Sequence, residues 1–424
     1  MSASQNLRSL LRQSSPVLAL LAGALVVLAA LWARFGSFTG FMLRLDPVAA
    51  LGTCSAGRSV KLACDFANHY YPQGRRLASS PTAVFGYFYS GFFAVGMQGL
   101  AHLPYETART VWECIVVGSE GFLLLAPLLL GSPRPITCFA YGLVLTSSLP
   151  VLHDFAYGQV SSLLTALTLA SFVAYGRDRR YLSAALLGVA AAIKFYPGLF
   201  AIHYLLRRDL RSFAAFSATT LLLVAGVPWL ALGASGAITL HTSIFENIGL
   251  VASFMSATPY SSFVANAMTY AGAGAIDPES SLYRAARVFG AGIALFHLYL
   301  AHRAVRKGTS TAVFAPMMLG FLTIPFVVRP SWVHYFVFLP MLELYVLELP
   351  SRDTASPLVT LLSRGGALVS ALLIGAPLFL LVPNPDDYYH GALPFWATAV
   401  LLPALYLASM RPRAHAPEPA HAPG

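Results

Sequence analysis

Residues 17–32 read VLALLAGALVVLAALW, a run that contains no charged side chain. A helix needs roughly 20 apolar residues to cross the hydrocarbon core of a bilayer, and this run with its flanking residues reaches that length. Residues 1–16, which carry the basic side chains Arg8 and Arg12, precede the run. No convincing small-residue site for signal-peptide cleavage follows it. We therefore interpret the run as a retained first membrane span and not as a removed signal peptide.

Similar runs recur along almost the whole chain of 424 residues, which is 57% hydrophobic and 10% charged. A soluble domain is typically about 25% charged, so too few charges are present to coat a water-exposed surface. The sequence predicts an all-α polytopic membrane bundle of about 10–12 transmembrane helices. The predicted apolar segments are 17–35, 82–101, 107–131, 136–153, 159–175, 181–206, 212–233, 284–305, 312–328, 331–349, 365–383 and 393–410.

The net charge of +10 comes largely from basic residues in short connections between these segments. Such connections typically face the cytoplasm, so membrane topology explains the charge better than nucleic-acid binding does. The rule places the N-terminus inside and the loops 36–80 and 234–283 outside. We expect one membrane-embedded domain over residues 1–410, with these two loops forming its active face. The Pro/Ala-rich tail 411–424 is predicted to be disordered.

The number of crossings between residues 80 and 207 must be odd, either five or three. Five would place the basic stretch 176–180 outside, against the charge rule. With three, segments 82–101 and 181–206 become re-entrant or broken hairpins, and 176–180 lies inside. Pro197 favours a break in the second segment, because proline removes a backbone donor and clashes with the preceding turn. The three-crossing interpretation is slightly favoured.

Charged groups in apolar segments are costly, so they indicate functional sites. Lys194 lies inside such a segment, where it could extend to the membrane interface or pair with a buried acid. A lone ammonium beside Pro197 also suits an anionic ligand such as a lipid phosphate, and this second interpretation is favoured. His334 begins a late segment, where a structural role is equally compatible with the sequence. Asp65 lies in the first outer loop near tyrosines, which suits a sugar, although a solvated loop acid is the simpler explanation from composition alone.

Other chemistry is not predicted. The sequence has no HExxH, CxxC, Walker A or GxGxxG element, so we expect no metal and no cofactor. Cys54 and Cys64 share one loop and could form a disulfide if that loop faces an oxidising compartment, but two free thiols are almost equally compatible.

Four stretches together resemble a known family. They are Asp65-Phe66 followed by Tyr70-Tyr71, then Gly158-Gln159, then LLGVAAAIKFYPGLF over Leu186 to Phe200, and finally Ser331-Trp332-x-His334. In order and spacing they resemble the polyprenyl-phosphate-sugar-dependent membrane glycosyltransferases of the C-type fold, and more narrowly glycosyltransferase family 87.

This resemblance implies transfer of a sugar, most often mannose, from a polyprenyl-phosphate donor to a hydroxyl of a lipid or glycan acceptor. It implies an inverting displacement with Asp65 as general base and His334 contacting the donor phosphate or assisting. Lys194 and Arg329 would bind that phosphate. The other substrate contacts implied are Tyr70, Tyr71, Gln159 and Trp332. Asn247, a polar residue in the second outer loop, is a further candidate for substrate binding. The expected location is the bacterial inner membrane, with the site on its extracytoplasmic side.

Two other functions fit the composition. A lipid-linked-sugar transporter or flippase would also have many spans and a few buried charges, although the sequence lacks the internal repeat common in transporters. A structural subunit that only holds lipid is the second alternative.

Overall fold

The computed structural model describes residues 3–36, 63–131, 134–255, 263–264, 267, 280–307, 313–328, 331–352, 356–381 and 392–410. All regular structure in these ranges is helical, so the predicted all-α fold is confirmed. The α-helices of the first half are α1 (Ala3–Phe35), α2 (Tyr71–Leu77), α3 (Gly91–Ala101), α4 (Tyr105–Leu124), α5 (Ala126–Leu129), α6 (Pro135–Ser147), α7 (Leu149–Tyr157), α8 (Ser161–Gly176), α9 (Arg180–Ile193) and α10 (Ile202–Leu206). Those of the second half are α11 (Leu210–Leu221), α12 (Val227–Met255), α13 (Ser281–Lys307), α14 (Phe314–Val327), α15 (Leu339–Arg352), α16 (Pro357–Ile374), α17 (Ala376–Leu381), α18 (Leu393–Ala399) and α19 (Leu402–Met410).

Within the described ranges, five helical stretches are long and apolar enough to cross a membrane. They are Ser14–Phe35, Leu210–Gly249, Ser281–Arg306, Pro357–Ile374 and Leu393–Met410. Helices α7 and α8 would count as a sixth if taken as one span with a bend of 117°. Several other predicted segments are divided into shorter helices at breaks, as at the start of α5, where proline occupies the first turn. The chain is a multi-pass membrane protein in which many helices are short or broken.

The predicted segment 181–206 folds as a hairpin. Helix α9 ends at Ile193, and Lys194 adopts an extended backbone with φ of −145° and ψ of 134°. A 3-10 turn and α10 then lead the chain back. Both ends of the hairpin, at Arg180 and Leu206, line one cleft. Its arms have 14 and 11 residues, too few for a crossing. This hairpin therefore places the two basic stretches, 176–180 and 207–211, at the same end of the molecule.

The predicted outer loop 234–283 begins as a helix, which corrects the sequence interpretation. Helix α12 continues to Met255 after a kink at Gly233, whose φ is 72°. The polar residues between positions 235 and 247 lower the local hydropathy, so the predicted span ended at the kink. The other predicted loop, 36–80, also contains helical structure, namely a π-helical turn (Phe66–Tyr70) followed by α2. Residues 37–62, most of 256–279 and the tail 411–424 lie outside the described residues.

Helix α1 packs directly against α6 through small residues. A Cβ added to Gly142 would collide with the carbonyl oxygen of Leu20, and one added to Gly23 would collide with that of Phe139. In lipid, helices usually associate through close backbone approach at small residues. The hydrophobic effect does not favour helix–helix contact there, because the acyl chains are as apolar as the side chains. The contact fixes α6 on the first span, and α7 and the bend that follows it continue from α6.

Candidate functional site

The bend between α7 and α8 is the framework of the site. Gly158 ends α7 with φ of 62°, in the left-handed region that glycine adopts without steric cost. The carboxylate of Asp154 accepts hydrogen bonds from the backbone N–H groups of Ser161 (3.1 Å) and Ser162 (3.0 Å). The indole of Trp112 donates to the Gly158 carbonyl at 2.7 Å. These contacts fix Gln159, the residue after the glycine, at the inside of the bend.

Asp65 is held beside this bend. The backbone N–H of Ala63 donates to the carbonyl of Ala156 in α7 at 2.7 Å. The ring of Phe66 stacks on Trp112 with centroids 6.0 Å apart. Cys64, the residue before Asp65, is disulfide-bonded, whereas Cys114 and Cys138 are not in a disulfide. Cys54 lies outside the described residues. Asp65 is therefore anchored on both sides, by a backbone bond and disulfide before it and a stacked ring after it.

A hydrogen-bond network joins Asp65 to the tyrosines. The side-chain amide of Gln159 donates to Asp65 Oδ2. The Oε1 of Gln159 accepts from the hydroxyls of Tyr70 and Tyr89, each at 3.0 Å. The two hydroxyl oxygens lie 2.6 Å apart. Gln159 is only 4% exposed, so its amide orientation is dictated by these partners. The network holds one carboxylate oxygen of Asp65 and leaves the other without a partner among the described residues.

Lys194 lies at the tip of the hairpin and faces the same network. Its ammonium stands over the ring of Tyr89 at 4.8 Å and over that of Tyr335 at 4.3 Å. The charges of Asp65 and Asp154 both act on it. In the part of the chain that the structure describes, however, Lys194 forms no ion pair. An aromatic ring stabilises a cation less than a directly paired carboxylate does. The ammonium of Lys194 is therefore available to an anionic ligand.

His334 completes one side of the site. It lies on a 3-10 turn (Val333–Phe336) and is 3% exposed. Its ring stacks on His153 at 5.6 Å and on Trp332 at 6.1 Å, and His153 stacks on Tyr157 at 4.3 Å. Its Nδ1 has no hydrogen-bond partner among the described residues. This row of flat rings ends beside Tyr335, which also contacts Lys194.

The structure brings together most of the predicted site residues, namely Asp65, Tyr70, Gln159, Lys194, Trp332 and His334. Two others point elsewhere. The hydroxyl of Tyr71 donates to the Leu103 carbonyl at 3.0 Å. The side-chain amide of Asn247 holds the backbone of residues 84–87, with bonds to the carbonyls of Val84 (2.8 Å) and Tyr87 (3.0 Å). Arg329 lies outside the described residues.

The sequence interpretation did not select Tyr89, Tyr335, His153 or Asp154 as site residues. His153 and Asp154 stand at the junction of the predicted segments 136–153 and 159–175, and this position is the only signal for them. Tyr89 lies in a coil before α3, within a segment that the sequence predicted as an apolar helix. No local pattern separates Tyr89 from the many other aromatic residues, because its role follows from the distant contacts to Gln159 and Lys194.

Burial raises the pKa of Asp65 above its ordinary value, although the charges of His69 and Lys194 and the amide of Gln159 act in the opposite direction. A carboxylate with a raised pKa is a better proton acceptor, provided that it is still ionised at the working pH. Within the described ranges, no group of three His, Cys, Asp or Glu side chains is arranged to hold a metal ion.

Comparison with known proteins identifies the family. Residues 87–325, more than half of the chain, match the model of glycosyltransferase family 87. A polyprenol-phosphate-mannose-dependent phosphatidylinositol pentamannoside mannosyltransferase of Mycobacterium tuberculosis is 25% identical over 340 residues, which cover 76% of this chain and 74% of that protein. A polyprenol-phosphate-mannose-dependent phosphatidylinositol mannoside mannosyltransferase of Mycolicibacterium smegmatis is 26% identical over 265 residues, covering 60% of this chain and 57% of the relative.

No solved structure matches the chain. The family match nevertheless covers Tyr89, Asp154, Gln159 and Lys194, four residues of the site. It assigns the chain to the enzymes and not to the transporters that the composition alone also allowed. The chain is a membrane-embedded glycosyltransferase and belongs to glycosyltransferase family 87.

Proposed function

We propose that this enzyme transfers a mannosyl group from a polyprenyl-phosphate-mannose donor to a hydroxyl group of a lipid or glycan acceptor. The donor is suggested by the relatives, whose names specify polyprenol-phosphate-mannose. The observation that carries the proposal is the arrangement of Asp65 and Lys194. A carboxylate and an ammonium face one network of tyrosines and an amide, and neither is neutralised by an ion pair within the described ranges.

This arrangement suits a single displacement. Asp65 removes the proton of the acceptor hydroxyl as its oxygen attacks the anomeric carbon, and the bond from that carbon to the phosphate oxygen breaks. The proton is then on Asp65, the configuration is inverted, and polyprenyl phosphate departs. Lys194 stabilises the charge that develops on the departing phosphate, and such preorganised electrostatic stabilisation is usually a large part of catalysis.

The rings around His334 suit the sugar and its phosphate. Flat aromatic faces pack against the apolar face of a sugar ring, and the unpartnered Nδ1 of His334 can donate to or accept from a substrate oxygen. We assign His334 to the donor phosphate or to assistance of proton transfer. Arg329, two residues before Ser331 in the sequence, is proposed as a second phosphate ligand because its guanidinium can bind phosphate in a bidentate manner.

The site is proposed to face the extracytoplasmic side of a bacterial inner membrane. Cys64 is disulfide-bonded, and disulfides persist in oxidising compartments. Helix α8 separates the site from the basic stretches 176–180 and 207–211 by about 24 Å. Basic loops of this kind favour the cytoplasmic side, so both observations support the same orientation.

The proposal is tested with Asp65→Asn in purified enzyme supplied with polyprenyl-phosphate mannose and a host lipid extract. The amide cannot accept the proton, so transfer should fall by about 10²–10⁴-fold, while donor binding stays close to the wild-type value. Asp178→Asn is the matched control, because Asp178 is an exposed carboxylate at the opposite end of α8. Transfer by Asp65→Asn at a near wild-type rate would show that Asp65 is not the base.

A further inference from the structure

A second polar cleft lies at the end of α8 and α9 remote from the site. It has a volume of about 690 Å³ and forms where the end of α8, the start of α9, the turn after α10 and one residue of α13 meet. Its polar lining residues are Tyr175, Arg180, Arg207, Arg208, Asp209 and Arg211. Because α8 has 16 residues, the cleft lies about 24 Å from the catalytic site and cannot belong to it.

The cleft carries an excess of positive charge. Four arginines line it, against one carboxylate, that of Asp209. This carboxylate is already occupied, since it accepts from the backbone N–H and hydroxyl of Ser212 and from the hydroxyl of Tyr175. Among the described residues, its only ion pair is with Arg180, at 3.7 Å. Arg207, Arg208 and Arg211 form no ion pair within the described part of the chain.

Polar groups in the cleft and directly behind its lining also lack partners among the described residues. The Nε of Arg207 is buried without a hydrogen bond, and its guanidinium lies over Tyr175 at 5.5 Å. His203 is one turn earlier, is 2% exposed and packs against Tyr175 at 4.8 Å. Neither of its ring nitrogens has a partner among the described residues. A buried donor without a partner is costly, so a ligand that satisfies the Nε of Arg207, which lines the cleft, is favoured.

The border of the cleft is apolar. Leu206, Leu210 and Val305 line it, and Leu210 is 67% exposed. Tyr181, the residue after Arg180, is also 67% exposed. A cleft for a soluble anion needs no such surface, whereas a lipid presents a phosphate and acyl chains together. Basic pockets between membrane helices on the cytoplasmic side are suited to anionic headgroups.

We propose that this cleft binds the phosphate headgroup of an anionic phospholipid from the adjacent leaflet. Arg207, Arg208 and Arg211 contact the phosphate oxygens, and the lipid chains lie along Leu210 and Tyr181. The bound lipid would fasten the two arms of the hairpin whose tip carries Lys194. It is a structural lipid and takes no part in the transfer reaction as substrate.

The test is native mass spectrometry of the full-length protein released from phosphatidylcholine nanodiscs with and without phosphatidylglycerol. The wild-type protein should retain phosphatidylglycerol selectively over phosphatidylcholine. In Arg207→Gln/Arg211→Gln, the affinity for phosphatidylglycerol should fall by about tenfold or more, which corresponds to the loss of one charge-assisted contact. Arg364→Gln is a control that removes one positive charge elsewhere, since Arg364 is an exposed arginine on α16 that does not line the cleft.

Two further arms keep the result decisive. Arg211→Gln alone changes an exposed side chain, so it tests the cleft even if the double variant fails to fold. Inorganic phosphate is titrated into lipid-free protein in detergent to distinguish a soluble anion from a headgroup. Equal retention of phosphatidylglycerol by the wild-type and cleft variants overturns the proposal, and so does tight binding of phosphate without lipid selectivity. None of these measurements depends on sugar transfer.

Discussion

The side-chain amide of Gln159 donates a hydrogen bond to a carboxylate oxygen of Asp65, 94 positions earlier in the chain. The same amide accepts, through its oxygen, from two tyrosine hydroxyls. The Gln159 side chain is therefore locked with its N–H groups toward Asp65. A donor to the ionised form of a carboxyl lowers its pKa, so this contact opposes the rise that burial causes in Asp65.

Gln159→Leu should shift the acid limb of the pH–rate profile to higher pH. The base must be ionised, so activity falls as the pH drops through the pKa of Asp65. Removal of the donor raises that pKa further, and the limb in kcat/KM moves with it. Tyr70→Phe is the control, because it removes a hydroxyl from Gln159 but keeps the amide donor on Asp65. A profile that keeps its shape in Gln159→Leu, with only its height reduced, contradicts this role.

Lys194→Met should weaken donor binding. A charge-assisted contact to phosphate contributes about 1.5–3 kcal/mol, so Kd for polyprenyl-phosphate mannose should rise by about 10–100-fold. The measurement is equilibrium binding in detergent, independent of turnover. Lys194→Arg keeps the charge and should retain part of the affinity. If Lys194→Met binds the donor as tightly as the wild-type enzyme does, Lys194 does not bind the phosphate.

His334→Gln should lower kcat and change the shape of the pH profile, because a group that contacts the phosphate or transfers a proton titrates with the reaction. The exposed His102, at the end of α3, provides the control His102→Gln, in which the profile should be unchanged. An unaltered profile in His334→Gln together with reduced thermal stability would identify His334 as a structural residue of the ring stack.

Gly142→Val should lower the stability of the fold without changing any side chain of the candidate site. Its side chain would collide with the backbone of α1, and overpacking of this kind costs about 1–3 kcal/mol. Thermal unfolding in detergent is the measurement. Gly96→Val is the matched control, because no heavy atom lies within 4 Å of a Cβ at that helical position. Equal unfolding temperatures of the two variants would show that the α1–α6 contact is loose.

The sequence allowed the class of fold to be predicted, and it singled out Lys194 because an ammonium inside an apolar segment requires a reason. Asp65 was selected only through the family resemblance, since from composition alone it resembles a solvated loop acid. The sequence also indicated the break near Pro197. It could not give side-chain directions. Tyr71 follows Tyr70 directly but points to Leu103, because adjacent residues of a helical turn face different sides.

The helical part of 234–283 was missed for a different reason. The residues between 235 and 247 are polar enough to suggest a loop, but Asn247 uses its amide to hold residues 84–87 against α12. The polar side chain of Asn247 therefore finds its hydrogen-bond partners in a segment about 160 positions earlier in the chain. Long-range satisfaction of polar groups is invisible to a local hydropathy window.

The hairpin that carries Lys194 has a consequence for biogenesis. Neither arm is long enough to be released into lipid on its own by the insertion machinery, and a central lysine adds about 2.5–3.5 kcal/mol to the cost of doing so. The arms therefore depend on α8 and α11 for their place in the membrane, and α11 is synthesised after them. We therefore expect Lys194, the proposed ligand of the donor phosphate, to reach its position only after the following span has emerged, late in the synthesis of the chain.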